Sequence, residues 1–218
     1  MTNLRNPKCQ CGKTKNPNGN CDGSHANPKR SINTLLKVLV VCFSIVAIQS
    51  FVPKENAEVV KSSIEWKGEK VLGSHNGILS LKSSEITFKD EVLVGGKFVM
   101  DMNSISCTDL TGDSKSSLEN HLKSADFFSV SKFPTSELII KKATKLTNNS
   151  YDISAMLTIK NITKDIRFVA NMQGNSLNAN IIIDRTEFDV RYGSGSFFDD
   201  LGDNMIMDDF EITVNLEL

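Results

Sequence analysis

Alternation of apolar and polar side chains is the feature that most constrains how this chain folds. Residues 151–159 read YDISAMLTI, and residues 211–218 read EITVNLEL, so that every second side chain faces the same way. The same period of two recurs in KFVMDM, residues 97–102, and in DIRFVANM, residues 165–172. This period is typical of half-buried antiparallel strands.

Further strands are predicted between clusters of turn residues, which makes about eight strands in one domain. These segments are 63–68, 71–82, 85–90, 135–145 and 177–185. One short helix interrupts them: SKSSLENHLKS follows Asp113, a candidate N-cap, and carries Leu118 and Leu122 on one face. An all-β domain with one short helix is lipocalin-like in outline, although pattern alone does not separate a hollow barrel from a packed sandwich.

Charge is distributed unevenly along the 218 residues. Residues 1–31 carry six basic side chains and one acid, a net charge of +5, whereas residues 53–218 carry 18 basic and 25 acidic side chains, a net charge of −7. A basic head before an apolar run is typical of a membrane-orienting arrangement. Nucleic acid is disfavoured as a partner, because no aromatic side chain interleaves the basic residues of the head.

The apolar run is residues 32–52, INTLLKVLVVCFSIVAIQSFV, about the length of a single membrane span. We favour an uncleaved anchor over a cleavable signal peptide, because the polar head is long and Ile48-Gln49-Ser50 is a poor cleavage site. The excess of basic residues before the run predicts a cytoplasmic N-terminus and a body on the far side.

Three cysteines and a histidine lie close together in the basic head. Cys9, Cys11, Cys21 and His25 offer three thiolates and one imidazole, which suit either zinc or an iron–sulfur cluster. Spacing alone does not choose between the two.

The body carries no constellation of residues that predicts catalysis. Cys107 is its single cysteine, and the simplest interpretation is a buried strand residue. His75 and His121 are interpreted as structural, the latter through a hydrogen bond between the helix and the barrel. We therefore expect that the protein is not an enzyme.

Several long motifs in the body identify a family resemblance. SIEWKGEKVLGSHNGILSLKSSEITF, GGKFVMDMNSISCTDL, LENHLKSADFFSVSKFPTSEL, LTIKNITKDIRF and IDRTEFDVRYGS occur in this order. Together they resemble the YceI family over about residues 60–218. The resemblance implies an exported, extended antiparallel β-barrel of lipocalin type, whose lumen holds a polyisoprenoid chain such as an isoprenoid quinone or a polyprenyl phosphate. Asn161 and Asp189 stand where the family usually has glycine, and asparagine tolerates the positive φ of a turn.

A long lipid requires a deep apolar tunnel with few directional groups. The side chains that we expect to line such a lumen are Phe98, Met100, Ile153, Leu157, Ile166, Phe168, Ile181, Ile183, Ile212 and Val214. Arg185 and Arg191 are interpreted first as ion-paired charges at the barrel end. The alternative is contact with a lipid headgroup, because arginine pairs well with phosphate. Without the resemblance, the same apolar residues would be interpreted as a solid core.

The head also resembles a known family. The letters CDGSH at residues 21–25 resemble the CDGSH iron–sulfur proteins, which implies a [2Fe–2S] cluster held by Cys9, Cys11, Cys21 and His25, with Zn²⁺ as the alternative. Members of that family usually dimerise or carry two such motifs, so a single motif leaves a homodimer open.

Together these expectations divide the chain into three parts: an iron–sulfur segment (1–31), a transmembrane anchor (32–52) and a lipid-binding barrel (53–218). The protein is expected in a bacterial inner membrane, with a cytoplasmic N-terminus and a periplasmic barrel, or alternatively as an exported protein after signal cleavage. The main hypothesis is a carrier of an isoprenoid lipid. The alternatives are a quinone-linked oxidoreductase and a non-catalytic envelope stress or scaffold protein with a solid barrel.

Overall fold

The structure, a computed structural model, describes residues 17–18, 55–147 and 149–218. The predicted metal ligands and the predicted anchor at 32–52 lie outside these residues and stay predictions. Among the residues that are described, no helix is long and apolar enough to cross a membrane.

The described part of the chain forms nine strands, one α-helix and two short 3-10 helices. The strands are β1 (Glu55–Ala57), β2 (Lys61–Lys70), β3 (Gly73–Lys89), β4 (Val92–Cys107), β5 (Thr135–Lys145), β6 (Ser150–Ile159), β7 (Ile162–Gln173), β8 (Ser176–Asp184) and β9 (Ile206–Glu217). The α-helix α1 (Gly112–Lys123) lies between β4 and β5, and the 3-10 helices are Arg185–Phe188 and Gly202–Asn204.

Strands β2 to β9 form a closed antiparallel barrel. Each strand pairs with the next one along the chain, and β9 returns to pair with β2. The short β1 lies outside this order and pairs with the far half of β3, with Glu55 opposite Phe88. The prediction of an all-β, antiparallel barrel of about eight strands with one short helix is confirmed.

The alternation in the sequence matches the two faces of the barrel wall. All five side chains predicted to share one face of β6, from Tyr151 to Ile159, are at most 7% exposed. The residues between them, Asp152, Ser154, Met156 and Thr158, are more exposed, as is usual for a strand with one face towards the core. The period of two therefore predicted which side chains are buried.

Two local predictions were wrong. The segments 71–82 and 85–90 belong to one long strand, β3, and the apolar pair Val71 and Leu72 forms the exposed turn that precedes it. The N-cap of α1 is Thr111. Asp113 lies in the first turn of the helix, where its carboxylate interacts favourably with the positive end of the helix dipole.

Tight turns close several hairpins with residues in the left-handed region. Asp90 and Glu91 join β3 to β4, and Lys160 and Asn161 join β6 to β7, all with positive φ. Two successive residues with positive φ give a turn whose twist matches that of the flanking strands. Asp189 also adopts a positive φ, 58°, after the first 3-10 helix, so an aspartate fits the conformation for which glycine is usual.

Candidate functional site

A narrow apolar cavity runs through the barrel. Its volume is about 200 Å³, and residues of all eight barrel strands and of α1 border it. It extends from Leu93 and Leu216, near the β3–β4 hairpin and the chain end, to Leu122 and Phe127 on the helix side. The cavity therefore reaches from one end of the barrel to the other.

The structure places nine of the ten predicted lumen residues along this cavity. They are Phe98, Met100, Ile153, Leu157, Phe168, Ile181, Ile183, Ile212 and Val214. Ile166 does not border the cavity and packs in the apolar core beside it. The structure thus brings these side chains together, and their contact with a lipid stays a prediction.

The helix-side end of the lumen contains an apolar group that sequence reasoning missed. We call it the Trp66 cluster: Met102, Ile105 and Val130 are buried there, with Trp66, Leu79, Leu122 and Phe128 packed against them. All of these residues except Val130 border the cavity.

The indole of Trp66 lies over the backbone of Gly77, its direct partner in the β2–β3 ladder. A Cβ atom at Gly77 would meet the indole ring at 2.6 Å and the carbonyl oxygen of Ser106 at 1.9 Å. Only glycine therefore allows this close approach of ring and strand. The indole can occupy this position in the lumen wall because residue 77 is a glycine and has no side chain.

Three buried polar atoms have no hydrogen-bond partner among the described residues: Trp66 Nε1, His121 Nε2 and Asp208 Oδ1. Only Trp66 of these three residues borders the cavity. His121 does not form the predicted hydrogen bond from its Nε2 atom, and its ring instead makes edge contacts with Phe127 and Tyr192. Helix α1 is instead hydrogen-bonded to β4 through Glu119, whose carboxylate accepts from Ser106 Oγ at 2.8 Å and from the backbone N–H of Cys107 at 2.9 Å.

Arg185 is buried at the same end of the barrel and is almost fully engaged. Its guanidinium donates to the carbonyl oxygens of Val190, Tyr192, Ile206 and Met207 at 2.7–3.0 Å; we call these contacts the Arg185 network. The side chain is 2% exposed, and its Nη2 lies 3.6 Å from Asp208 Oδ1.

Burial lowers the pKa of Arg185, and the carboxylates of Asp208 and Asp184 oppose that effect. Arg185 borders the lumen, yet four of its five N–H groups are taken by backbone carbonyls. Contact with a lipid headgroup would require it to leave these partners. The network instead fastens the segment after β8 to the start of β9.

Arg191, the other predicted headgroup residue, lies on the surface. Its Nε forms an ion pair with Asp189 Oδ1 at 3.2 Å, and its guanidinium lies 4.5 Å from the centroid of the Phe197 ring. It does not border the cavity. The structure therefore does not bring Arg185 and Arg191 together around one ligand group.

Asp109 joins His75 and Cys107, two of the three residues of the body that the sequence analysis considered for chemistry. Its carboxylate accepts from His75 Nδ1 at 2.9 Å and from Cys107 Sγ at 3.0 Å, and the backbone N–H of Asn76 donates to it at 3.2 Å. Burial by itself raises the pKa of Asp109, but these hydrogen bonds outweigh it and lower the pKa to about 2.

Cys107 is fully buried, as predicted, and burial together with the Asp109 contact raises the pKa of its thiol. A buried neutral thiol is a poor nucleophile. Among residues 17–18, 55–147 and 149–218, no group of three or more histidine, cysteine, aspartate or glutamate side chains could hold a metal ion.

Solved structures with the same fold are known. BcnA of Burkholderia cenocepacia shares 17% identity and a TM-score of 0.58, over 71% of this chain and 94% of that one. A variant of a Campylobacter jejuni YceI protein shares 20% identity and a TM-score of 0.50, over 64% and 82% of the two chains. A domain from Saccharophagus degradans, described as polyisoprenoid binding, shares 10% identity and a TM-score of 0.49, over 76% and 97%.

At these identities the likeness concerns the fold. No curated protein matches the sequence. The family model of the YceI-like domain matches residues 56–218, which cover the whole barrel from β2 to β9 and all of β1 except its first residue. The chain therefore belongs to the YceI-like domain family.

Proposed function

We propose that the barrel binds one long, linear lipid of the polyisoprenoid class, such as an isoprenoid quinone or a polyprenyl phosphate, within its lumen. The observation that carries the proposal is the continuous apolar cavity, which residues of every barrel strand border. A lipid chain has almost no groups that form hydrogen bonds, so an apolar wall and the exclusion of water are what it requires.

The dimensions of the lumen favour a single flexible chain as the part of the ligand that it encloses. Its volume of about 200 Å³ is below the roughly 300–1,000 Å³ of common ligand pockets. Met100 and Met102 border it, and methionine side chains change rotamer easily, so the wall can widen around a chain. A scaffold protein with a solid core would have no use for such a lumen.

We propose, further, that the protein carries this lipid without transforming it. On the sequence alone, residues 32–52 anchor it in a bacterial inner membrane, with the N-terminus cytoplasmic and the barrel periplasmic. Also on the sequence alone, Cys9, Cys11, Cys21 and His25 bind a [2Fe–2S] cluster. The apolar anchor would keep the barrel close to the membrane from which it takes its lipid.

A variant that fills the lumen tests the carrier function. Ala179 borders the middle of the cavity, so Ala179→Phe adds a ring inside the barrel. Ile182→Phe is the matched control, because this neighbouring side chain on β8 is 68% exposed on the outer face. We expect Ala179→Phe to weaken binding of an isoprenoid quinone at least tenfold and Ile182→Phe to leave it unchanged. Equal affinity of both variants, with both folded, would contradict a binding site in the lumen.

A further inference from the structure

We propose that the indole N–H of Trp66 donates a hydrogen bond to an uncharged oxygen of the bound lipid, and so fixes the polar end of that lipid at the helix side of the lumen. The inference rests on the proposed function and adds the orientation of the ligand and the residue that determines it. The oxygen would be a carbonyl or a hydroxyl.

The first argument is the missing partner. A buried tryptophan N–H normally finds an acceptor, because leaving it unpaired costs about as much as a lost hydrogen bond. Trp66 Nε1 is buried and finds none among the described residues, although its ring forms part of the cavity wall. A ligand that supplies the hydrogen-bond acceptor would account for an unpaired donor in the wall of a binding site.

The second argument is that the indole cannot turn elsewhere. Gly77 lies directly beneath the ring, and even a methyl group there would come within 2.6 Å of it. Trp66 belongs to the same apolar cluster as Leu79, Met102 and Leu122, and none of these side chains offers a strong acceptor. The donor is therefore held in place before any ligand arrives, which lowers the entropy lost on binding.

The third argument concerns charge. The charged residues that border the lumen are Arg185, Glu137 and Asp209. The Arg185 network already occupies the one cation, and the other two residues are acidic, so among the described lining residues no cation is available for a phosphate. An anion drawn into this end of the lumen would lose its hydration without compensation. A neutral oxygen loses far less.

The test compares three ligands with the same C20 isoprenoid chain: geranylgeraniol, the corresponding hydrocarbon without the hydroxyl group, and geranylgeranyl monophosphate. The full-length chain is held in nanodiscs, and affinities are measured for the wild type and for Trp66→Phe, which removes the N–H but keeps an aromatic ring. Partition of the ligands into the nanodisc is the same for both proteins, so the ratio of affinities between ligands can be compared directly.

We expect the wild type to bind the alcohol about tenfold more tightly than the hydrocarbon, and the variant to lose most of this preference while its affinity for the hydrocarbon changes little. Phe128→Leu is the control for lost apolar contact and should weaken binding of both ligands by the same factor. We expect the monophosphate to bind the wild type more weakly than the alcohol. An unchanged preference in Trp66→Phe, or tighter binding of the monophosphate, overturns the inference.

A second readout needs no variant. Trp66 is the single tryptophan of the chain, so its indole N–H gives one NMR signal that requires no assignment. Addition of geranylgeraniol should move this proton downfield, whereas the hydrocarbon should not. Binding of the alcohol with no difference between the two ligands in this signal refutes the inference and leaves the carrier function standing. No binding of any of the three ligands refutes the carrier function itself.

Discussion

Two polar groups at the same end of the barrel border one apolar lumen, and the fold treats them in opposite ways. Arg185 is buried and donates to four backbone carbonyls. Trp66 packs in an apolar cluster, and its N–H has no partner among the described residues. The contrast assigns the two groups different roles. The Arg185 network stabilises the segments at this end of the barrel, whereas the Trp66 cluster offers an unpaired hydrogen-bond donor to a ligand in the lumen.

The largest effect is expected from breaking the Arg185 network. Arg185→Met keeps the length and packing of the side chain but leaves four carbonyl oxygens without this donor. We expect a loss of about 3 kcal/mol in the free energy of unfolding, measured by urea denaturation.

Arg185→Lys tests whether the geometry of the guanidinium matters in addition to its charge. Lysine keeps the charge but carries its three donors on one nitrogen, whereas the guanidinium presents its donors in a planar arrangement. Its stability should fall between those of the wild type and Arg185→Met. If Arg185→Met unfolds within about 0.5 kcal/mol of the wild type, the network does not have the structural role that we assign to it.

A smaller loss is expected from Gly77→Ala. The new methyl group would collide with the Ser106 carbonyl oxygen and with the Trp66 ring, so strand and ring must move apart at a cost of about 2 kcal/mol. We expect the fluorescence emission of Trp66 to change in the same variant, because its surroundings loosen.

Gly68→Ala is the matched control, since a Cβ atom there meets nothing within 4 Å. It should leave both the stability and the emission of Trp66 close to those of the wild type. Equal behaviour of the two alanine variants would show that Gly77 does not set the position of the indole.

The smallest effect concerns Asp109, which accepts hydrogen bonds from His75 and Asn76 at the start of β3. Its pKa is lowered from 3.8 to about 2, so the folded state favours the carboxylate. The stabilisation is therefore complete well above pH 4 and is lost as the pH falls through about 2. Asp109→Asn should cost about 1–2 kcal/mol at pH 7, since an amide oxygen cannot replace both carboxylate oxygens.

The pH dependence is the sharper readout for this variant. The difference in unfolding free energy between wild type and Asp109→Asn should shrink from pH 5 to pH 2, while the other carboxylates act equally in both proteins. A difference that stays constant over that range would mean that the charge of Asp109 does not stabilise the folded state.

The sequence predicted the barrel well because alternation reports burial directly. The five alternate residues from Tyr151 to Ile159 are buried as expected, and nine predicted side chains border the lumen. The Trp66 cluster was missed because Val71 and Leu72 look like strand residues. The predicted segments 63–68 and 71–82 therefore placed the β2–β3 turn at 69–70 and not at 71–72, and that register does not pair Trp66 with Gly77. Once that turn is known, counting back five residues on each side gives the pair.

The role of Arg185 could not be predicted from the sequence for a different reason. An arginine in IDRTEF gives no sign of whether its guanidinium meets a ligand or the backbone, because its partners lie 5–22 residues away along the chain. Only the closed barrel brings those carbonyl oxygens around it. The same limit applies to Ile166, whose alternation fits a lumen position although it packs beside the cavity.

The most direct test of the central claim is native mass spectrometry of the full-length chain, purified gently from bacterial membranes into nanodiscs. We predict a population with extra mass, which denaturation releases as a polyisoprenoid species, and loss of that population in Ala179→Phe. A bare protein mass that stays unchanged after incubation with isoprenoid quinones and polyprenyl phosphates would contradict a lipid-binding lumen.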